Sequence, residues 1–161
     1  MKNTHIKYSE GQWFAVPLRS GGYAIGIIVR GSYKTKGGLG YFFGPKYAEV
    51  PSNIETLAKN KDNSILIGWF GDLGIINGDW PLIEGRKPFA REEWPVPKFY
   101  RIPPLPIEKA FVVEYDQDTS IHHPIHEYIV PISEEILKLP EDGGYGSGAI
   151  EIELDKLLSN K

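Results

Sequence analysis

The stretch Gln12-Trp13-Phe14-Ala15-Val16-Pro17-Leu18, Ser20-Gly21-Gly22, Tyr23-Ala24-Ile25-Gly26-Ile27-Ile28-Val29-Arg30 contains two apolar runs of strand length. Between them lies glycine, which takes positive φ without steric cost and so supplies a turn. The pattern predicts a β-hairpin. Pro17 lacks a backbone N–H and assigns the first strand to an edge or a bulge. Gly26 leaves the second strand free to bend or to be approached closely by another backbone.

Outward from this hairpin the chain continues as short segments. Residues 31–40 (GSYKTKGGLG) are expected to form a flexible loop, with Leu39–Phe43 a third strand closed by Gly44-Pro45. Ser52 and Glu55 match the S-x-x-E capping box and predict a helix to about Lys59. Ser64–Phe70 reads as a buried strand, and Asn77-Gly78 as a tight turn. Seven of the thirteen prolines fall between Pro81 and Pro106. That density excludes regular helix and central sheet and predicts an extended segment crossing the surface, with brief pairing at Phe99–Ile102. Ala110–Tyr115 and His126–Val130 read as strands. Ser133–Leu139 reads as a helix with Ser133 as N-cap and two glutamates in its first turn. Ala149–Leu154 is expected as a last strand and Asp155–Leu158 as a frayed helical turn. Many short strands with two small helices predict a mainly β (α+β) fold. The expected form is a strongly bent antiparallel sheet or small barrel, in a single domain over residues 1–161.

Composition narrows the function classes. The 161 residues contain no cysteine, which excludes disulfides, thiol nucleophiles and thiolate metal sites. No apolar run approaches the roughly 20 residues of a membrane span, and the first residues lack the apolar core of a signal peptide. A cytoplasmic protein is the expectation. The net charge of −3 is unevenly spread. Residues 1–107 hold 14 basic and 9 acidic side chains, whereas residues 108–161 hold 4 and 12. The acidic C-terminal third suits a basic partner and argues against nucleic acid.

Few residues carry candidate chemistry. His122, His123, His126 and Glu127 are a conceivable divalent-metal set, but their spacing is not H-E-x-x-H and Pro124 breaks any common helical face. There is no G-x-S-x-G. The glycine runs at 37–40 and 143–146 lack the G-K-[ST] of a phosphate loop and precede apparent strands. Asp72 with Asp79, and Glu141 with Asp142, are acidic pairs whose separation the sequence does not fix. Trp69, Trp80, Trp94 and Tyr145 lie in or beside loops, where aromatic side chains next to acids make interface anchors or simply core.

Three segments occur together in order: Gly11–Leu18 with Gly22–Gly26, Tyr41-Phe42-Phe43-Gly44, and Phe70-Gly71-Asp72-Leu73-Gly74-Ile75-Ile76-Asn77-Gly78-Asp79-Trp80-Pro81. With the ending Leu139-Pro140-Glu141-Asp142-Gly143-Gly144-Tyr145-Gly146-Ser147-Gly148-Ala149-Ile150-Glu151-Ile152, the chain resembles the immunity protein 26 family of bacterial polymorphic-toxin systems, also labelled HocA-like. The resemblance spans roughly residues 8–155. It implies a small, mainly β protein that protects its producer by binding a toxin domain. The second label implies organophosphate hydrolysis, for which this chain offers no metal set beyond residues 122–127.

The resulting expectation is a non-catalytic immunity protein without cofactor or metal that occludes a cognate toxin domain. Asp72, Trp80, Glu141, Asp142 and Tyr145 are the expected contact residues. The alternatives are a metal-assisted phosphotriesterase built on His122, His123, His126 and Glu127, and a small-barrel module that binds peptide or nucleic acid through the Arg30–Lys36 loop.

Overall fold

A computed structural model describes residues 6–57, 59–85 and 87–159. The first sheet contains β1 (Trp13–Pro17), β2 (Tyr23–Ser32), β3 (Gly37–Tyr47) and β4 (Leu66–Gly71), each antiparallel to the next. The one-turn helix α1 (Leu73–Ile76) follows β4. A second, antiparallel sheet contains β5 (Phe99–Arg101), β6 (Lys109–Glu114) and β7 (His126–Pro131). The chain then forms the short helix α2 (Glu134–Leu137), the two-residue strand β8 (Gly144–Tyr145) and the helix α3 (Ser147–Ser159). β8 returns to the first sheet and pairs in parallel with β4. The first sheet is strongly bent and does not close into a barrel, so the α+β expectation holds in its open form.

The apolar runs are nearly continuous because the first sheet is buried on both faces. Successive side chains alternate between the faces. Trp13, Ala15, Ile25, Ile27, Leu39, Tyr41 and Phe43 pack with Trp94, Val96, Phe99 and Val113 from the second sheet and the segment before it. Phe14, Val16, Ile28, Phe42 and Phe70 pack with Trp80, Ile150 and Leu154. Two glycines make the second face possible. A Cβ on Gly26 would lie 2.7 Å from Phe14 Cζ, and one on Gly40 would lie 2.9 Å from Phe42 Cε1. The rings occupy that space: Phe14 stacks on Trp80 at 5.6 Å and 6°, and meets Phe42 edge-on at 5.8 Å.

Several expectations need correction. The 31–40 loop is only the turn at 33–36, because β2 and β3 run on through Gly31 and Gly37. β3 also continues through Gly44-Pro45 to Tyr47. The helix expected from Ser52 is a single 3-10 turn, Ile54–Thr56, capped by Asn53 accepting from the Glu55 N–H. Asn77 keeps negative φ and ends α1, while Gly78 alone takes positive φ (+87°). The proline-rich segment does not merely cross the surface. It buries Ile83, Trp94 and Val96. Its backbone bonds substitute for a ladder: Ala15 N–H donates to Pro81 O, Ile83 N–H to Trp13 O, and Val96 N–H to Gln117 Oε1. Finally, residues 149–154 belong to α3 and not to a strand. Ile150 and Leu154, one turn apart, face the core. Glu151 and Asp155, on the next stripe, bind Arg19 and Ser20.

Candidate functional site

The segment 140–145 joins the two sheets. Tyr100 N–H donates to Pro140 O (3.0 Å), and Asp142 N–H donates to Tyr100 O (2.7 Å). Two residues later β8 pairs with Trp69 and Phe70 of β4. Asp142 thus sits at the junction, and its carboxylate is heavily used. Tyr115 donates its hydroxyl to Oδ1 at 2.6 Å, His122 Nε2 lies 3.4 Å from the same oxygen, and Arg101 Nη1 is 4.0 Å from Oδ2. Arg101 also meets Glu127 at 3.2 Å and lies over the Phe111 ring. A row of alternating charge therefore crosses the second sheet from Asp142 through Arg101 to Glu127. The His122 imidazole stacks on Trp69 at 5.4 Å and 10°. The buried Trp69 indole N–H has no acceptor among the described residues. A cleft of about 370 Å³ opens here, lined by Lys36, Gly38, Trp69, His122, Gly144 and Tyr145 among others.

Burial pushes the Asp142 carboxyl up, but the hydrogen bonds from His122 and Tyr115 and the charge of Arg101 outweigh it and hold the carboxyl below its ordinary value. A carboxyl whose folded pKa is depressed contributes stability that is complete above the unfolded pKa. That contribution is lost as pH falls below 3.8 and through the folded pKa. Asp142→Asn is expected to flatten the acid limb of stability, read from thermal unfolding between about pH 5 and about pH 2. An acid limb identical to that of the natural chain would show that this carboxylate does not drive acid unfolding.

The five expected contact residues are not one surface. Glu141 is exposed, Tyr145 is half-buried against Gly68, and Asp142 is mostly enclosed by its partners. Trp80 is fully buried, with its Nε1–H donating to Glu151 Oε2 at 2.9 Å. Asp72 is buried and accepts from the Tyr8 hydroxyl at 2.7 Å. Trp80 is enclosed in the core beneath α1, whereas Asp72 commits one carboxylate oxygen to Tyr8 and lines a cleft beside α1 with Tyr33, Lys36, Leu73 and Ile76. Trp69 and Trp94 are likewise buried.

The alternative sites fare differently from one another. Arg30 has left the basic loop: it is 1% exposed and donates to the carbonyls of Val29, Trp94 and Gln117. His122 faces Asp142 and Trp69, while His126 Nδ1 lies 3.6 Å from Glu114. Among the described residues no group of three or more His, Asp or Glu side chains is placed to hold a metal ion. No helix of the described residues is long and apolar enough to cross a membrane. The glycine run at 143–146 precedes α3, not a strand.

Sequence reasoning passed over Arg101, Tyr115 and His122 as a group, since they come from three separate segments. It also passed over the exposed apolar side chains of the second sheet: Tyr128 and Ile129 on β7, with Ile125 and Ile132 at its ends. His126–Val130 shows no clean alternation, and that was the available signal of a strand exposed on both faces.

Residues 9–109 match the family described as Immunity protein 26. The match covers β1 to β4, the proline-rich segment and β5, and ends on the first residue of β6. No curated protein and no solved structure matches the chain. On that match, with the bent β-rich architecture it overlies, the chain belongs to the immunity protein 26 family and is an immunity protein of a toxin system, with a protein toxin as its partner.

Proposed function

We propose that the protein neutralises a cognate toxin domain by covering its working surface, without catalysis and without cofactor. The contact surface lies on the acidic C-terminal third. The observation that carries this reading is the coincidence of two properties in one region. Residues 108–161 hold 12 acidic against 4 basic side chains, and among the described residues most of the exposed large apolar side chains lie within 102–137. Acidic groups interspersed with exposed apolar side chains suit a basic partner surface, speeding encounter and fixing register more than adding affinity. The two sheets share one apolar cluster, which supports treating residues 1–161 as a single working unit.

Co-expression with the C-terminal domain encoded by the adjacent reading frame tests the reading. Rescue of growth and co-purification support it, and absence of both rejects it. Within that complex, Glu141→Lys is expected to slow association roughly 5-fold at low ionic strength, the deficit shrinking as salt screens the charge. Glu141 is exposed, so folding stability should change by less than about 0.5 kcal/mol. Stopped-flow association across a salt series reads this directly. An unchanged rate removes Glu141 from the contact region.

A further inference from the structure

We infer that the free edge of β7 is where the toxin docks, by adding an extended, basic segment of its own as a fourth strand to the second sheet. The inference rests on the proposed neutralising role and specifies how contact is made.

The sheet edges are unequal. Along β1, the segment around Leu82 covers the edge through the Phe14–Leu82 bridge. Along β5, Tyr100 is bonded on both its N–H and C=O by residues 140–142. β8 is two residues long. β7 offers six residues, and among the described residues no element pairs with its outer side.

The phase of that edge follows from one bond and the register of the ladder. Ile132 N–H donates to Glu108 O at 3.1 Å, continuing the register that places Pro131 opposite Lys109. Bonded and non-bonded pairs alternate along an antiparallel ladder. Tyr128 and Val130 therefore turn their N–H and C=O toward β6, and Glu127 and Ile129 turn theirs outward. The far side of the sheet gives the same phase. Tyr100, opposite Val112, points away from β6 and takes its bonds from residues 140–142. Pro131 points outward too, and its missing N–H limits the pairing to the Glu127–Ile129 side.

An open edge with Ile129 51% and Tyr128 41% exposed is a template for another strand and a liability if left uncovered. Main-chain bonds to Glu127 and Ile129 supply affinity, and side-chain contacts on the two faces supply specificity. The charge balance selects the occupant. Exposed Glu108, Glu134 and Glu135 lie close in sequence to the strand ends, within a region of 12 acids and 4 bases. They favour a strand carrying Lys or Arg and oppose a second copy of this acidic edge.

Ile129→Pro is the decisive variant. It removes an outward N–H and leaves the β6 ladder intact, as proline does on an edge strand. Ile129→Lys is the second variant: it keeps the N–H and sets a like charge against a basic strand. The probe is the C-terminal domain encoded by the adjacent reading frame, titrated against the full chain by calorimetry. Thermal unfolding establishes that each variant folds. If the natural chain fails to bind, the neutralising role itself falls. If it binds, Ile129→Pro should weaken affinity at least about 100-fold and Ile129→Lys about 10-fold. Amide exchange at Glu127 and Ile129 should slow in the complex. Affinity within twofold of the natural chain for the folded variants overturns the proposal while leaving the neutralising role standing. A dimer of the natural chain that Ile129→Pro dissociates, with toxin affinity unchanged, assigns the edge to a second copy and also overturns it.

Discussion

Gly38→Ala is expected to cost about 3 kcal/mol or more of folding stability. A Cβ on Gly38 would sit 1.8 Å from Arg30 O and 2.8 Å from Arg30 C. Both atoms are backbone, so no rotamer change relieves the overlap and β2 and β3 must separate. The position is strained from both sides. The β2–β3 register shifts between Ile28 and Arg30, and Gly31 and Gly37 take φ of +100° and +134°. Separating the strands would also disturb the Arg30 guanidinium, which ties β2 to the carbonyls of Trp94 and Gln117. The first sheet would thereby lose one of its polar ties to the segment around Trp94. Urea denaturation measures the loss. A Gly38→Ala midpoint equal to that of the natural chain would mean that the strands tolerate the added carbon, and with it that the close approach is dispensable.

Trp80→Ala is expected to cost about 3 to 5 kcal/mol. The indole is fully buried between Phe14 and Phe70, and its N–H satisfies Glu151, which also binds Arg19. Removing it leaves a cavity under α1 and an acid on α3 with one donor fewer. A Cβ on Gly74 would fall 2.7 Å from three indole atoms, so the one-turn helix has been shaped to this ring. Trp80→Phe keeps the apolar bulk and should recover most of the loss. Because Trp80 is sealed inside, toxin association by the folded fraction should match that of the natural chain. A Trp80→Ala chain that keeps its stability and loses association would return Trp80 to the contact surface.

The strands of the first sheet were legible because burial on both faces writes long apolar runs. The faces were not, because such runs carry no alternation. α3 misread as a strand for a related reason. Ile150, Ile152 and Leu154 repeat every second residue, yet Ile150 and Leu154 also lie one helical turn apart, and that pair is what the core accepts. β4 offers its edge only to Gly144 and Tyr145, so the chain beyond them coils across the sheet instead of extending along it. Prolines correctly excluded regular structure from residues 81–106, but not burial. Trp94 and Val96 sink into the core because Gln117 and Tyr41 accept or supply the bonds a ladder would have made. The family resemblance was readable from glycine and aromatic order along the first sheet. The expected contact residues were less so: acid next to aromatic describes both a docking anchor and a buried Trp80–Glu151 pair, and only packing separates the two.

All four indoles lie inside the molecule, none more than 6% exposed. Their emission belongs to the interior and will redden on unfolding, and none of the four lies on β7. Association is therefore better followed through a dye or a chromophore on the incoming molecule, and the chain's own ultraviolet glow is left as a gauge of whether it is still folded.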